Sequence, residues 1–140
     1  MKTARPFMTF NALSDQVSVA AQITPEDVAR ARETGVRRVV NNRADGEDPT
    51  QPDSAEVAQW VADAGLEYVW LPIVGRPSPQ DAAAMGALLQ DGTPTLVYCR
   101  SGLRSAAAWA MGEVQAGRGE PGAVRAAAAR AGYDLSGLPL

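Results

Sequence analysis

Four short apolar runs recur along this sequence, and a helix-forming stretch separates each from the next. VSVAAQI (17–23), RRVVNN (37–42), EYVWLPIV (67–74) and TPTLVY (93–98) each read as a strand. Thr24-Pro25-Glu26-Asp27 offers a cap, a proline suited to the first helical position and two acids for the positive helix end; Gly35 ends that helix. Asp53 to Glu56 reads as a capping box, and Val57, Trp60, Val61 and Ala64 follow at helical spacing before Gly65. Ser78-Pro79-Gln80-Asp81 opens another helix, with Met85, Leu88 and Leu89 on its apolar side. A stripe from Leu103 to Val114 gives the next, and a last helix runs from about Pro121 to Arg130, ended by Gly132. This alternation predicts an α/β fold. A parallel sheet of about four to five strands carries helices on both faces, in one domain over residues 1–140.

Such a sheet decides where chemistry can gather. All parallel strands end along one edge, and ligands bind outside that edge. Arg43, Asp45, Gly46 and Glu47 follow the second strand, Gly75 and Arg76 the third, and Cys99 the fourth. Three loops carrying a thiol, arginines and acids are therefore expected to converge.

Composition narrows the chemistry further. Among 140 residues there is one cysteine and no histidine. Ser-His-Asp and Cys-His pairs are excluded, as are histidine-ligated metals, and one cysteine forms no internal disulfide. DGED at 45–48 lacks the alternation of a calcium loop, so no metal or cofactor is expected. Net charge is -3, which does not favour nucleic acid as a partner. MKTARPFMTFNALSDQ does not read as a signal peptide, and no later run suits a membrane span. A cytoplasmic protein is expected. Trp60, Trp70 and Trp109 read as core or edge packing.

The lone thiol opens CRSGLRS, where a strand stops and a helix begins. A helix N-terminus offers unpartnered N–H groups and positive potential, so a loop curled over it cradles an anion. Gly102 permits the curl, because it adopts positive φ without steric cost. Arg100 and Arg104 add positive charge, and such a setting favours the nucleophilic thiolate. The candidate catalytic residues are Cys99 and Arg104. Arg100, Ser101, Gly102, Leu103 and Ser105 form the expected substrate cradle, with Arg43 as a second anion ligand and Asp45 as an acid or positioning group. Arg43, Asp45, Glu47 and Gln51 also read as a turn around Asp45-Gly46 leading into a helix cap.

CRSGLRS resembles the active-site loop of rhodaneses, which carry a sulfane sulfur as a cysteine persulfide. It is similar also to the loop of cysteine phosphatases, where five residues separate cysteine and arginine. Here four do, and Tyr98 stands where those enzymes usually have histidine. The shorter loop goes with sulfur transfer in that comparison. Over nearly the whole chain the sequence resembles the phosphatase-like domain of beta-lactamase-hydrolase-like proteins. VSVAAQITPED, GVRRVVNNRADGEDPTQP, AGLEYVWLPI, PTLVYCRSGLRSAAAW and AGYDL carry the resemblance, with Ala44 where that family often has proline.

The resemblance implies a dual-specificity-phosphatase-like fold and a sulfurtransferase. The implied reaction would move sulfur from thiosulfate or a small persulfide through Cys99 to a thiol, cyanide or sulfite. The partners implied are a small anionic sulfur donor, a thiol acceptor and a separate persulfide dioxygenase. Two alternatives stay open. One is a cysteine-dependent phosphatase, which needs a general acid that the loop 71–78 does not contain. The other is a persulfide carrier or redox sensor that reacts without turning over.

Overall fold

The computed structural model describes residues 10–140; most of the stretch read above against a signal peptide lies outside them. Within them the strands are β1 (Asn11–Ala12), β2 (Val17–Ala20), β3 (Arg38–Asn41), β4 (Glu67–Trp70) and β5 (Thr95–Tyr98). They form one sheet in the order β1-β2-β5-β3-β4. β2, β5, β3 and β4 are mutually parallel, and the two-residue β1 closes one edge antiparallel to β2. The sheet is thus mostly parallel, and β5, which leads to Cys99, lies at its centre.

The helices begin where local chemistry starts them. α1 (Pro25–Glu33) and α3 (Pro79–Leu89) open with reciprocal capping boxes, Thr24 with Asp27 and Ser78 with Asp81. At α2 (Ser54–Asp63) the box is one-sided: Asp53 accepts from the Glu56 N–H. α4 (Leu103–Gln115) and α5 (Pro121–Arg130) complete the chain.

Alternation along the strands splits the core between two faces. Val39, Leu96 and Tyr98 join Val28, Val57 and Val61 under α1 and α2. Val19, Val40 and Val97 join Met85, Ala106, Val124 and Leu135 on the side of α3, α4 and α5. Cover on both faces buries β2, β3 and β5 along nearly their whole length, so they do not alternate, while the edge strand β4 is part-exposed.

The alanine-rich α4 lies tight against α3. A side chain at Gly112 would meet the Ala82 carbonyl at 2.8 Å, so the two backbones touch where glycine allows it. That contact fixes the helix whose first turn carries Arg104. Among the described residues no helix is long and apolar enough to cross a membrane.

Candidate active site

Sheet register brings three loops together. Ala20 and Asn41 both pair with Tyr98, so β2, β3 and β5 end level with one another. The Asn42 N–H donates to the Tyr98 carbonyl at 2.8 Å and the Ile73 N–H to the Asn42 carbonyl at 3.0 Å. The ladder thereby continues one step past the strands and sets Arg43 and the β4–α3 loop beside Cys99.

Cys99 is 1% exposed. Gly102, at φ 98° and ψ −14°, caps α4 in the left-handed region and turns the loop back, so its N–H donates to Cys99 Sγ at 3.1 Å. Ser105 is fully buried and ties the start of α4 to the residue that follows β3, its hydroxyl donating to Asn42 Oδ1 at 2.7 Å. The cradle's other side is held by Tyr133, whose hydroxyl donates to the Ser101 carbonyl at 3.0 Å. Burial, and then the nearby Cys99, raise the Tyr133 pKa.

Arg104 reaches across the mouth of this loop. Its Nη1 donates to the Ile73 carbonyl and Glu47 Oε2, both at 2.6 Å, and its Nη2 to Glu47 Oε1 at 2.8 Å. Three of the five guanidinium N–H groups are used this way. The hydrogen bonds to Glu47 and Ile73 leave the Nε–Nη2 edge of the guanidinium with two further N–H groups. Glu47 also accepts from Arg43 Nε at 3.0 Å, and Arg43 Nη1 donates to Gln22 Oε1 at 2.9 Å. One carboxylate thus holds both arginines. The hydrogen bond with Glu47 raises the Arg104 pKa, and its interaction with Cys99 adds to it.

Burial opposes ionisation of Glu47, but Arg104 and then Arg43 outweigh it and bring its pKa down to about 2 from 4.5. A carboxyl depressed in the folded state stabilises the fold above its unfolded pKa and loses that contribution as pH falls through the folded one. We expect the stability gap between wild type and Glu47→Gln to be constant above about pH 4.5 and to close towards pH 2. Denaturant midpoints across that range measure it; a gap already closed at pH 5, or one unchanged down to pH 2, contradicts the pairing.

Not every expected site residue faces the thiol. Asp45 Oδ1 accepts the Ser54 N–H at 2.8 Å and so starts α2; the carboxylate that meets the arginines is Glu47. Arg100 is exposed; its charge adds a minor part to the lowering of the Asp48 pKa, which comes chiefly from hydrogen bonds donated by the Thr50 N–H and hydroxyl. Ser101 Oγ accepts the Leu103 N–H at 3.3 Å, and the Leu103 side chain is half-exposed. The β4–α3 loop (71–78) contains no acid; Asp81, in the first turn of α3, accepts the Ser78 N–H at 2.8 Å and is committed to the helix cap. Tyr98 is buried, and loss of solvent pushes its phenol far above the usual range. Trp109 is core, and Trp70 lies at an edge, its indole donating to the Arg43 carbonyl at 2.9 Å.

Sequence reasoning missed Gln22 and Tyr133 and left Glu47 in a turn. Tyr133 packs on Gly102 so closely that a Cβ at Gly102 would collide with its phenol. Gly102→Ala should therefore cost about 1–3 kcal/mol from left-handed strain and overpacking, and most of the activity. Adding Tyr133→Ala relieves the clash but not the strain. Unfolding of both single variants and the double should show a coupling; strict additivity would mean that the two residues do not meet.

The match to known proteins agrees with this geometry. Residues 9–118 fit the family described as "Beta-lactamase hydrolase-like protein, phosphatase-like domain". A beta-lactamase hydrolase-like protein of Xylella fastidiosa (strain Temecula1 / ATCC 700964) is 28% identical over 125 residues, covering 88% of this chain and 29% of its own length. The chain thus spans under a third of that relative. Among solved structures, a provisionally named phosphatase of Neisseria meningitidis z2491 is 27% identical, with a TM-score of 0.79 over 91% of each chain. Tk-PTP in its active form superposes with a TM-score of 0.73 at 14% identity, covering 93% of this chain and 89% of its own, and shows the cysteine-phosphatase fold alone. With its fold, its cysteine loop and residues 9–118 all in accord, the chain belongs to the phosphatase-like domain family of beta-lactamase hydrolase-like proteins.

Proposed function

We propose that the site is a cysteine-nucleophile transferase for small anions, and that the group it moves is a sulfane sulfur. The observation that carries the nucleophile is the Gly102 N–H on Cys99 Sγ at 3.1 Å, with Arg104 anchored beside it. With thiosulfate, the thiolate attacks the outer sulfur. An S–S bond forms, the bond to the sulfonate sulfur breaks, and sulfite departs with its electron pair. Cyanide or a thiolate then takes the outer sulfur and returns Cys99 as thiolate. Preorganised N–H groups stabilise the charge throughout.

Two features favour sulfur over phosphorus. Only four residues separate Cys99 from Arg104, and no acid in the β4–α3 loop is available to protonate an alkoxide or phenoxide. Sulfite needs no proton to leave. A second reading, a cysteine phosphatase, is favoured by the names of the family and of its structural neighbours, which support it more directly than they support sulfur transfer. A stoichiometric persulfide carrier is the third. A cytoplasmic setting rests on the reading of the sequence, and a separate persulfide dioxygenase consuming the product persulfide rests on the family resemblance alone.

Thiocyanate formation from thiosulfate and cyanide, run beside aryl phosphate hydrolysis, separates the readings. Cys99-dependent thiocyanate turnover with slow hydrolysis is expected. Rapid Cys99-dependent hydrolysis without thiocyanate would make the protein a phosphatase, and a single turnover would make it a carrier.

A further inference from the structure

The first turn of α4, just past the thiol loop, lines a cavity of about 400 Å³ with Leu103 and Arg104. Pro77, Leu103, Ala107, Leu135 and Leu138 line it with apolar surface, and Arg104 shares its lining. Arg76 and Asp134 supply its charged rim. Pockets of roughly 300–1,000 Å³ with apolar walls and a few polar groups suit organic ligands. A tetrahedral inorganic anion needs neither the volume nor the walls.

The walls are preformed. Leu135 and Leu138 are 4% and 8% exposed, and the Leu138 N–H donates to the Leu135 carbonyl at 3.0 Å. Arg125 Nη2 donates to the Leu138 carbonyl at 3.0 Å, and Tyr133 ties this segment to the Ser101 carbonyl. Facing them, Leu103 leaves 47% of itself exposed immediately after the capping glycine. A large apolar side chain beside a charged site is covered when a ligand's apolar part lies on it.

We propose that this cavity receives the organic body of the sulfur donor. The substrate class is then an organic sulfane-sulfur anion, R–S–S⁻ or R–SO₂–S⁻ with apolar R, in preference to inorganic thiosulfate. The inference rests on the sulfur-transfer reading. Cys99 thiolate bonds to the terminal sulfur, whose bond to the R-bearing sulfur breaks, and R leaves as thiolate or sulfinate with the electron pair. Two negative charges stand on each side, and no oxidant is consumed. Arg104 holds the anionic end while R lies along Leu103, Leu135 and Leu138.

Benzenethiosulfonate and methanethiosulfonate share the reacting head and differ in R, so they test it with cyanide as acceptor and sulfinate release as readout. Wild-type protein is expected to favour the benzene donor at least about tenfold in kcat/KM. Leu103→Ser, at a half-exposed position, should bring the ratio within about threefold, and Leu138→Ala should lower it independently. Equal kcat/KM for both donors in wild type overturns the inference and leaves sulfur transfer standing. A preference that survives both substitutions also overturns it, because these walls then do not hold R. No sulfur on Cys99 from either donor overturns the inference together with the reading beneath it.

Discussion

Replacing Cys99 by serine is expected to remove group transfer almost completely, by about 10³-fold or more, while the protein keeps its fold. The two side chains are nearly isosteric. A hydroxyl beside the Gly102 N–H still accepts the hydrogen bond that the sulfur accepts now at 3.1 Å, so the loop retains its shape. Nothing among the described residues can deprotonate that hydroxyl: the chain has no histidine, and the nearest carboxylate on the site, Glu47, is bound by two arginines. A serine there is a neutral alcohol, and a poor nucleophile. Circular dichroism and thermal unfolding should match wild type. Retention of a tenth of the activity would remove Cys99 from the role of nucleophile.

Arg104 carries the second large effect. Arg104→Ala should lower kcat/KM by about 10²–10³, the cost of one preorganised donor to a developing anion. Arg104→Lys should recover little. An ammonium has no planar fork, and it cannot bond Glu47 through two nitrogens, reach the Ile73 carbonyl and still offer an edge to substrate. Both variants also release Glu47 towards Arg43, so the loop after β3 should loosen. Steady-state kinetics against donor concentration reads the effect. An unchanged dependence in both variants would mean that Arg104 only braces Glu47.

Much of the fold could be read from the sequence, because capping residues and glycines lie next to the elements they bound. Thr24, Asp53, Ser78 and Gly102 each stand at the helix start expected of them. Strand ends were read too long. Ile23 and Ile73 are 1% and 2% exposed yet lie past their strands, since apolarity reports burial and not ladder pairing. β1 gave no signal, because two exposed residues, Asn11 and Ala12, carry no period. The thiol, its glycine and Arg104 were legible because they lie within six consecutive residues. The Glu47 contact spans 57 positions and the Tyr133 contact 32, and both exist only once the sheet register and the C-terminal turn are in place. The pattern at 43–51 was therefore readable as a turn, while the choice of Glu47 over Asp45 as partner of the arginines was not.

The nature of the covalent intermediate tests the account most directly. Purified protein is incubated with thiosulfate or glutathione persulfide, and in parallel with an aryl phosphate, then desalted and measured by intact mass spectrometry with peptide mapping. The sulfur donors are expected to add the mass of one sulfur atom to Cys99, cyanide should remove it, and the phosphate ester should leave no adduct. A phosphorylated Cys99 with no sulfur adduct from either donor would contradict sulfur transfer and make this loop, despite its length, a phosphatase's.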